Sequence, residues 1–168
     1  MSTRCQIEFK EITKYIDRKK SIIERRTIYR HSDGYPDGDF GVISDLKIFL
    51  KWDRGFDIEY TPANFIYWNK KRVLSHLLRN VKTKTEKQEI TDRYEKLYFG
   101  ICENDEFHMD LAYFYQLVYE LTEIKKKEYS KKLTLFVYKP EYQKYKNGFR
   151  KPLTKNDLKL IKKLRMVV

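Results

Sequence analysis

The chain has 168 residues, 41% hydrophobic and 15% aromatic, with 14 Tyr and 10 Phe but only 6 Gly and 4 Pro. That balance excludes a disordered or low-complexity chain and predicts one domain, residues 1–168, long enough to bury a core. The net charge of +12 favours polyanionic partners and leaves the fold open.

The excess charge is local. Leu121 to Val168 holds 15 Lys and Arg against 4 acids, whereas Met1 to Glu120 holds 21 against 20. Cys5 and Cys102 lie far apart and form no CxxC, so two reduced, mostly buried thiols are expected rather than a disulfide framework or zinc site. No apolar run approaches the ~20 residues of a membrane span. The first ten residues lack the apolar stretch of a signal peptide, and the expected location is the cytoplasm.

In chain order, Thr3 to Ile12 alternates Cys5, Ile7 and Phe9 with polar residues, the period of a half-buried strand. Ile22 to His31 reads as a second strand, and the two can pair as a hairpin across the charged stretch Lys14 to Lys20, itself a turn or short helix. Ser32 to Asp39 holds two Gly, one Pro and three Asp, the composition of a loop. A helix follows with Asp39 as its cap and Val42, Ile43, Leu46, Phe49 and Leu50 at helical spacing. Thr61-Pro62 is a capping hydroxyl followed by Pro. It predicts a helix to about Arg79 that buries Ile66, Val73, Leu74 and Leu77. Lys82 to Glu95 is polar, either a solvated helix or a connection.

Three more strands are predicted at Leu97 to Cys102, Met109 to Tyr119 and Leu133 to Tyr138. The final stretch reads as a helix from Thr154, with Asp157 completing a capping box and Leu158, Ile161 and Leu164 facing inward. The expected fold is α+β: an antiparallel sheet of about five strands with helices packed on one face. Residues 140–168 are read as a basic C-terminal extension ending in that helix.

Two loops hold residue types suited to chemistry. Tyr29 to Asp37 gathers Arg30, His31, Asp33 and Asp37 at a strand end. Arg30 can clamp a phosphate and His31 can move a proton near neutral pH. Equally, Arg30 can pair with Asp33 or Asp37 merely to lock the loop. Glu103 to Asp110 adds His108 and Asp110. If the loops meet, His31, Asp33, Asp37, His108 and Asp110 could hold Mg²⁺ or Mn²⁺ and activate water, as a metal-dependent nuclease requires. Glu86, Glu89 and Asp92 lie among cations and read as a solvated ion-pair face. His76 reads as a helix residue. No phosphate-loop, dinucleotide or serine-hydrolase motif is present.

The basic C-terminal third offers Lys125, Lys126, Lys131, Lys132, Lys144, Lys146, Arg150, Lys155, Lys159 and Lys163, with Tyr145 among them. Such cations neutralise phosphates, and aromatic rings stack on unpaired bases. With Arg30 they form the expected nucleic-acid-binding set.

Three stretches carry a resemblance: Ser2-Thr3-Arg4-Cys5, Tyr29-Arg30-His31-Ser32-Asp33-Gly34-Tyr35-Pro36, and His108-Met109-Asp110-Leu111-Ala112-Tyr113-Phe114-Tyr115. Together they resemble an uncharacterised family of small phage and archaeal-virus proteins with an STRC start and a YRHxDGYP core. The resemblance covers roughly the first 140 residues and implies a viral or virus-derived protein, but no activity. The expectation is a nucleic-acid-binding accessory protein. The alternatives are a metal-dependent nuclease and an inhibitor that binds a host protein of a defence or transcription complex.

Overall fold

The computed structural model describes residues 3–53, 55–95, 99–103, 106–108, 110–141 and 153–166. Their elements, in chain order, are β1 (Cys5–Lys14), β2 (Ile22–Arg30), α1 (Val42–Trp52), α2 (Thr61–Leu77), α3 (Lys84–Glu95), β3 (Phe99–Cys102), β4 (Tyr113–Lys125), β5 (Glu128–Pro140) and β6 (Leu158–Met166). The fold is α+β, with a six-stranded sheet ordered β3-β2-β1-β4-β5-β6. The expected five antiparallel strands become six, and the central pair β1–β4 is parallel. No described helix is long and apolar enough to cross a membrane.

The hairpin β1–β2 forms as its alternation predicts, with Cys5 opposite Arg30 and Ile7 opposite Ile28. Cys5, Ile7 and Phe9 share a face with Tyr115, Leu117 and Tyr119 of β4 and with Leu133, Leu135 and Val137 of β5. Onto that face α1 lays Val42, Leu46, Phe49 and Leu50, and α2 lays Phe65. Each such side chain removed from water contributes about 1.5–3 kcal/mol. Of the residues expected to be buried on α2, Val73 is buried, Ile66 and Leu74 are half-buried, and Leu77 is 43% exposed. The polar α3 is a helix packed beside α2.

On the opposite face of the sheet, where the described residues place no helix, a smaller cluster forms from Leu111, Phe114 and Leu153, with Phe107, Tyr138 and Leu158 against it. β1 is central enough that its polar residues on this face are also enclosed. Gln6 is 0% and Glu8 2% exposed, and Gln116 Nε2 donates to the Glu8 carboxylate at 2.6 Å.

Two helix starts differ from expectation. α1 is capped by Gly41 rather than Asp39. Thr61 lies inside α2, where its hydroxyl accepts from the Asp57 N–H at 2.8 Å and ties the preceding loop to the helix.

The C-terminal helix is corrected more deeply. The Thr154–Asp157 capping box is present, but it opens a single 3-10 turn, and the chain then enters β6. β6 pairs along β5, so it is a strand of the sheet and not a helical extension. The pairing register shifts between Val137 and Tyr138, opposite Ile161. The extra residue moves the apolar positions from one face to the other: Leu158 and Leu160 lie opposite Pro140 and Tyr138, Leu164 and Met166 opposite Leu135 and Leu133. Without knowledge of the bulge, that change of face looks like helical spacing.

Arg30, at the end of β2, is 2% exposed on the core face. Its Nη1 donates to Asp45 Oδ2 at 2.7 Å, its Nε to the Ser32 carbonyl at 2.9 Å and its Nη2 to the Phe40 carbonyl at 3.2 Å. Asn69 Nδ2 donates to the same Asp45 oxygen at 2.7 Å, and Arg72 pairs with the other. Truncating Asp45 strands a buried guanidinium, a loss of about 3–5 kcal/mol. Asp45→Ala is therefore expected to lower the urea midpoint sharply with an unchanged slope, and Asp45→Asn to lower it less. A midpoint like that of the wild type would refute this role.

Candidate nucleic-acid interface and histidine cluster

The ends of the sheet carry different chemistry. At one end the three stretches of the resemblance meet. The Gly34 N–H donates to the Thr3 carbonyl at 2.9 Å, and the Tyr115 hydroxyl donates to the Gly34 carbonyl at 2.8 Å. A methyl group on Gly34 would stand 2.8 Å from both the Cys5 Cβ and the Thr3 oxygen, so only glycine allows this approach. Burial pushes the Cys5 thiol up to about 12 against the opposing charge of Arg30. Both cysteines are free, Cys5 buried and Cys102 half-buried.

Tyr29 joins the two loops. Its ring lies 4.2 Å from that of His108 with 30° between planes, and 6.2 Å from that of His31. The Tyr29 hydroxyl reaches Asp110 Oδ1 at 3.5 Å, and Arg4 forms an ion pair with Asp110. Burial raises the Tyr29 phenol, and Arg4 opposes the rise. His108 is exposed, yet its backbone is held from below: Gln6 Nε2 donates to the Glu106 carbonyl at 2.8 Å, and the His108 N–H donates to Gln6 Oε1 at 3.2 Å. A cavity of about 300 Å³ adjoins it, lined by Ile101, Cys102, Glu103, Glu106, Phe107 and His108.

Thus His31, His108 and Asp110 of the expected catalytic set come together around one ring. Asp33 and Asp37 do not join them. Asp33 is exposed with a φ of 54°, and Asp37 pairs with Lys162 at 2.7 Å. No group of three or more His, Cys, Asp or Glu able to hold a metal is assembled among the described residues. Arg30 is enclosed by Asp45 and two carbonyls. It locks the loop, but through α1 rather than through Asp33 or Asp37, and presents no donor face to a phosphate.

The other end carries the cations. Because β1 and β4 run parallel, the β1–β2 turn lies beside the far end of β4 and its turn into β5. The Tyr15 and Tyr129 rings meet edge to face at 6.4 Å, and the Ile16 N–H donates to the Glu123 carboxylate at 3.2 Å. Arg18, Lys19 and Lys20 of the first turn thereby join Lys125, Lys126 and Lys127 of the second, all six exposed. The acids here are partly engaged: Glu120 takes both Lys14 and Lys132. Burial raises its carboxyl, but the two lysines outweigh that, and the net shift is downward.

The remaining basic residues are distributed along the outer strands. Lys131 and Lys132 continue up β5, and Lys155 is exposed in the 3-10 turn. Lys159 pairs with Glu141 at 3.4 Å, and Lys163 lies over the Phe136 ring at 5.4 Å. Lys144, Tyr145, Lys146 and Arg150 lie outside the described residues. Sequence reasoning missed Arg18, Lys19 and Lys20 as part of the basic set, since they read locally as a charged turn.

No protein-family model, curated protein or solved structure matches the chain.

If one ring links the two loops, Tyr29→Leu should move the imidazole resonances of both His31 and His108 in proton NMR. It should leave His76, which packs on Phe40 at 4.7 Å, in place. A shift in only one of the first two would separate the loops.

Proposed function

We propose that the protein binds nucleic acid, as an accessory protein of viral type, through the basic end of the sheet. The observation that carries this reading is the packing of two hairpin tips side by side. It sets Arg18, Lys19 and Lys20 against Lys125, Lys126 and Lys127. Adjacent strands are only about 4.8 Å apart, so cations from distant parts of the chain share one surface. Clustered charge of this kind raises the local potential, attracts a polyanion and releases its counterions on binding. The viral assignment rests on the resemblance of the opening, loop and aromatic-strand stretches.

Binding carried by these tips must fall with salt. Alanine at Lys19, Lys20, Lys126 and Lys127 together should weaken binding and flatten the log–log salt dependence. The slope should fall by about 0.7 for each single-strand phosphate no longer neutralised, or about 0.9 on duplex DNA. An unchanged slope in titrations across several salt concentrations would place the binding surface elsewhere.

A second reading, a nuclease, is favoured by the meeting of His31 and His108 at Tyr29. Two imidazoles and an Arg-paired carboxylate are not the oxygen-rich set that Mg²⁺ takes, so the site would need further oxygen donors to hold it. As a metal-dependent enzyme it should lose strand cleavage in EDTA and in His108→Ala while retaining affinity. Binding without cleavage under Mg²⁺ or Mn²⁺ leaves the first reading alone.

A further inference from the structure

A third surface lies on the helical side of the molecule. Trp52 at the end of α1 is 76% exposed, and Tyr67 on α2 is 69% exposed. Exposed rings are informative where they share one surface rather than lie scattered. These two line a groove of about 320 Å³ with Trp68, Lys71, Arg72 and Ser75. Its volume is at the low end for small-ligand sites, room for a flat ring system and not for a duplex.

The groove is built rather than incidental. Trp68 packs on Phe49 at 5.8 Å and Phe65 at 6.3 Å, which anchors it to the core. Arg72 lies over Trp68 at 5.7 Å and over Phe40 at 4.6 Å, and its guanidinium is held by Asp45. Two elements of the scaffold therefore hold the floor while Trp52 and Tyr67 stand free at the rim.

The electrostatics choose the occupant. α2 carries Lys70, Lys71 and Arg72 and no Asp or Glu along its 17 residues. α1 adds exposed Lys47 and Lys51, and its single acid, Asp45, is buried among Arg30, Arg72 and Asn69. Asp53, next to Trp52, accepts from the Thr61 hydroxyl at 3.3 Å. Exposed rings flanked by cations fit unpaired bases with phosphates on either side.

We infer that this groove binds single-stranded nucleic acid, stacking an unpaired base against Trp52 and Tyr67 while Lys71 meets the adjoining phosphate. This rests on the nucleic-acid reading and adds to it a preference for single strands.

The chain has two tryptophans, and both line the groove, so their fluorescence reports on it directly. Titration with an unstructured single-stranded oligonucleotide should quench the emission saturably, and the same sequence as a duplex should quench far less. Trp52→Ala and Tyr67→Ala, both at exposed positions, should each weaken single-strand affinity about 5- to 150-fold, the range that stacking of one base spans. Duplex affinity and the salt slope should stay as in the wild type. Gel shift by the intact protein with unchanged tryptophan emission and full single-strand affinity in both variants would overturn the groove and leave the hairpin-tip reading standing. Absence of a shift with any single- or double-stranded DNA or RNA at low salt would overturn both.

Discussion

The buried pair of Arg30 and Asp45 is the interaction on which the rest of the architecture turns. A guanidinium at 2% exposure must have its donors satisfied, and here they are satisfied by three different pieces of chain: α1 through Asp45, and the two ends of the loop through Ser32 and Phe40. Asn69 and Arg72 bring α2 to the same carboxylate. One ionic centre thus fixes the end of β2, the loop and both helices relative to the sheet. The loop cannot move without exposing or stranding that charge, which keeps Gly34 against Cys5 and His31 against Tyr29.

The parallel pairing of β1 with β4 is the second constraint. A parallel pair requires a long crossover, and here β2, three α-helices and β3 occupy it. Its consequence is directional. The starts of β1 and β4 share one end of the sheet, which brings Arg4 to Asp110 and Gln6 to the His108 backbone. Their far ends share the other, which brings the two basic turns together. A purely antiparallel order would have placed the tips of the two hairpins at opposite ends and dispersed the charge.

Local periodicity made much of this legible. The alternation of Cys5, Ile7 and Phe9 and the helical spacing of Val42, Leu46 and Phe49 each reflect burial on one face, and both elements form where expected. β6 was not legible, because a bulge opposite Val137 and Tyr138 changes the phase of its apolar residues, and a strand with two phases imitates a helix. Nor were the surroundings of Arg30: a guanidinium facing the core looks the same in sequence as one facing solvent. The meeting of His31 and His108 could be posed as a question but not answered, since it depends on a strand pairing between β2 and β3, far apart in the chain. Trp52 and Tyr67 sat among residues that read as helix, and only exposure separates a rim from a core ring.

The cations of this chain do not all call for the same explanation. β6 is an edge strand, and Lys159, Lys162 and Lys163 along it discourage another strand from pairing there, a reason for lysine that needs no ligand. Lys162 moreover has its own internal partner in Asp37. The hairpin tips are different. Arg18, Lys19, Lys20, Lys125, Lys126 and Lys127 gather at the end of the sheet, where no strand edge needs protecting, and outnumber Asp17, Glu123 and Glu128 of the same turns. On α2, Arg72 is held by Asp45, and Lys71 stands exposed in the groove. A polyanion would relieve the excess charge at the tips, and under the proposed reading the tips and the groove, rather than the basic strand, are the places to look for a partner.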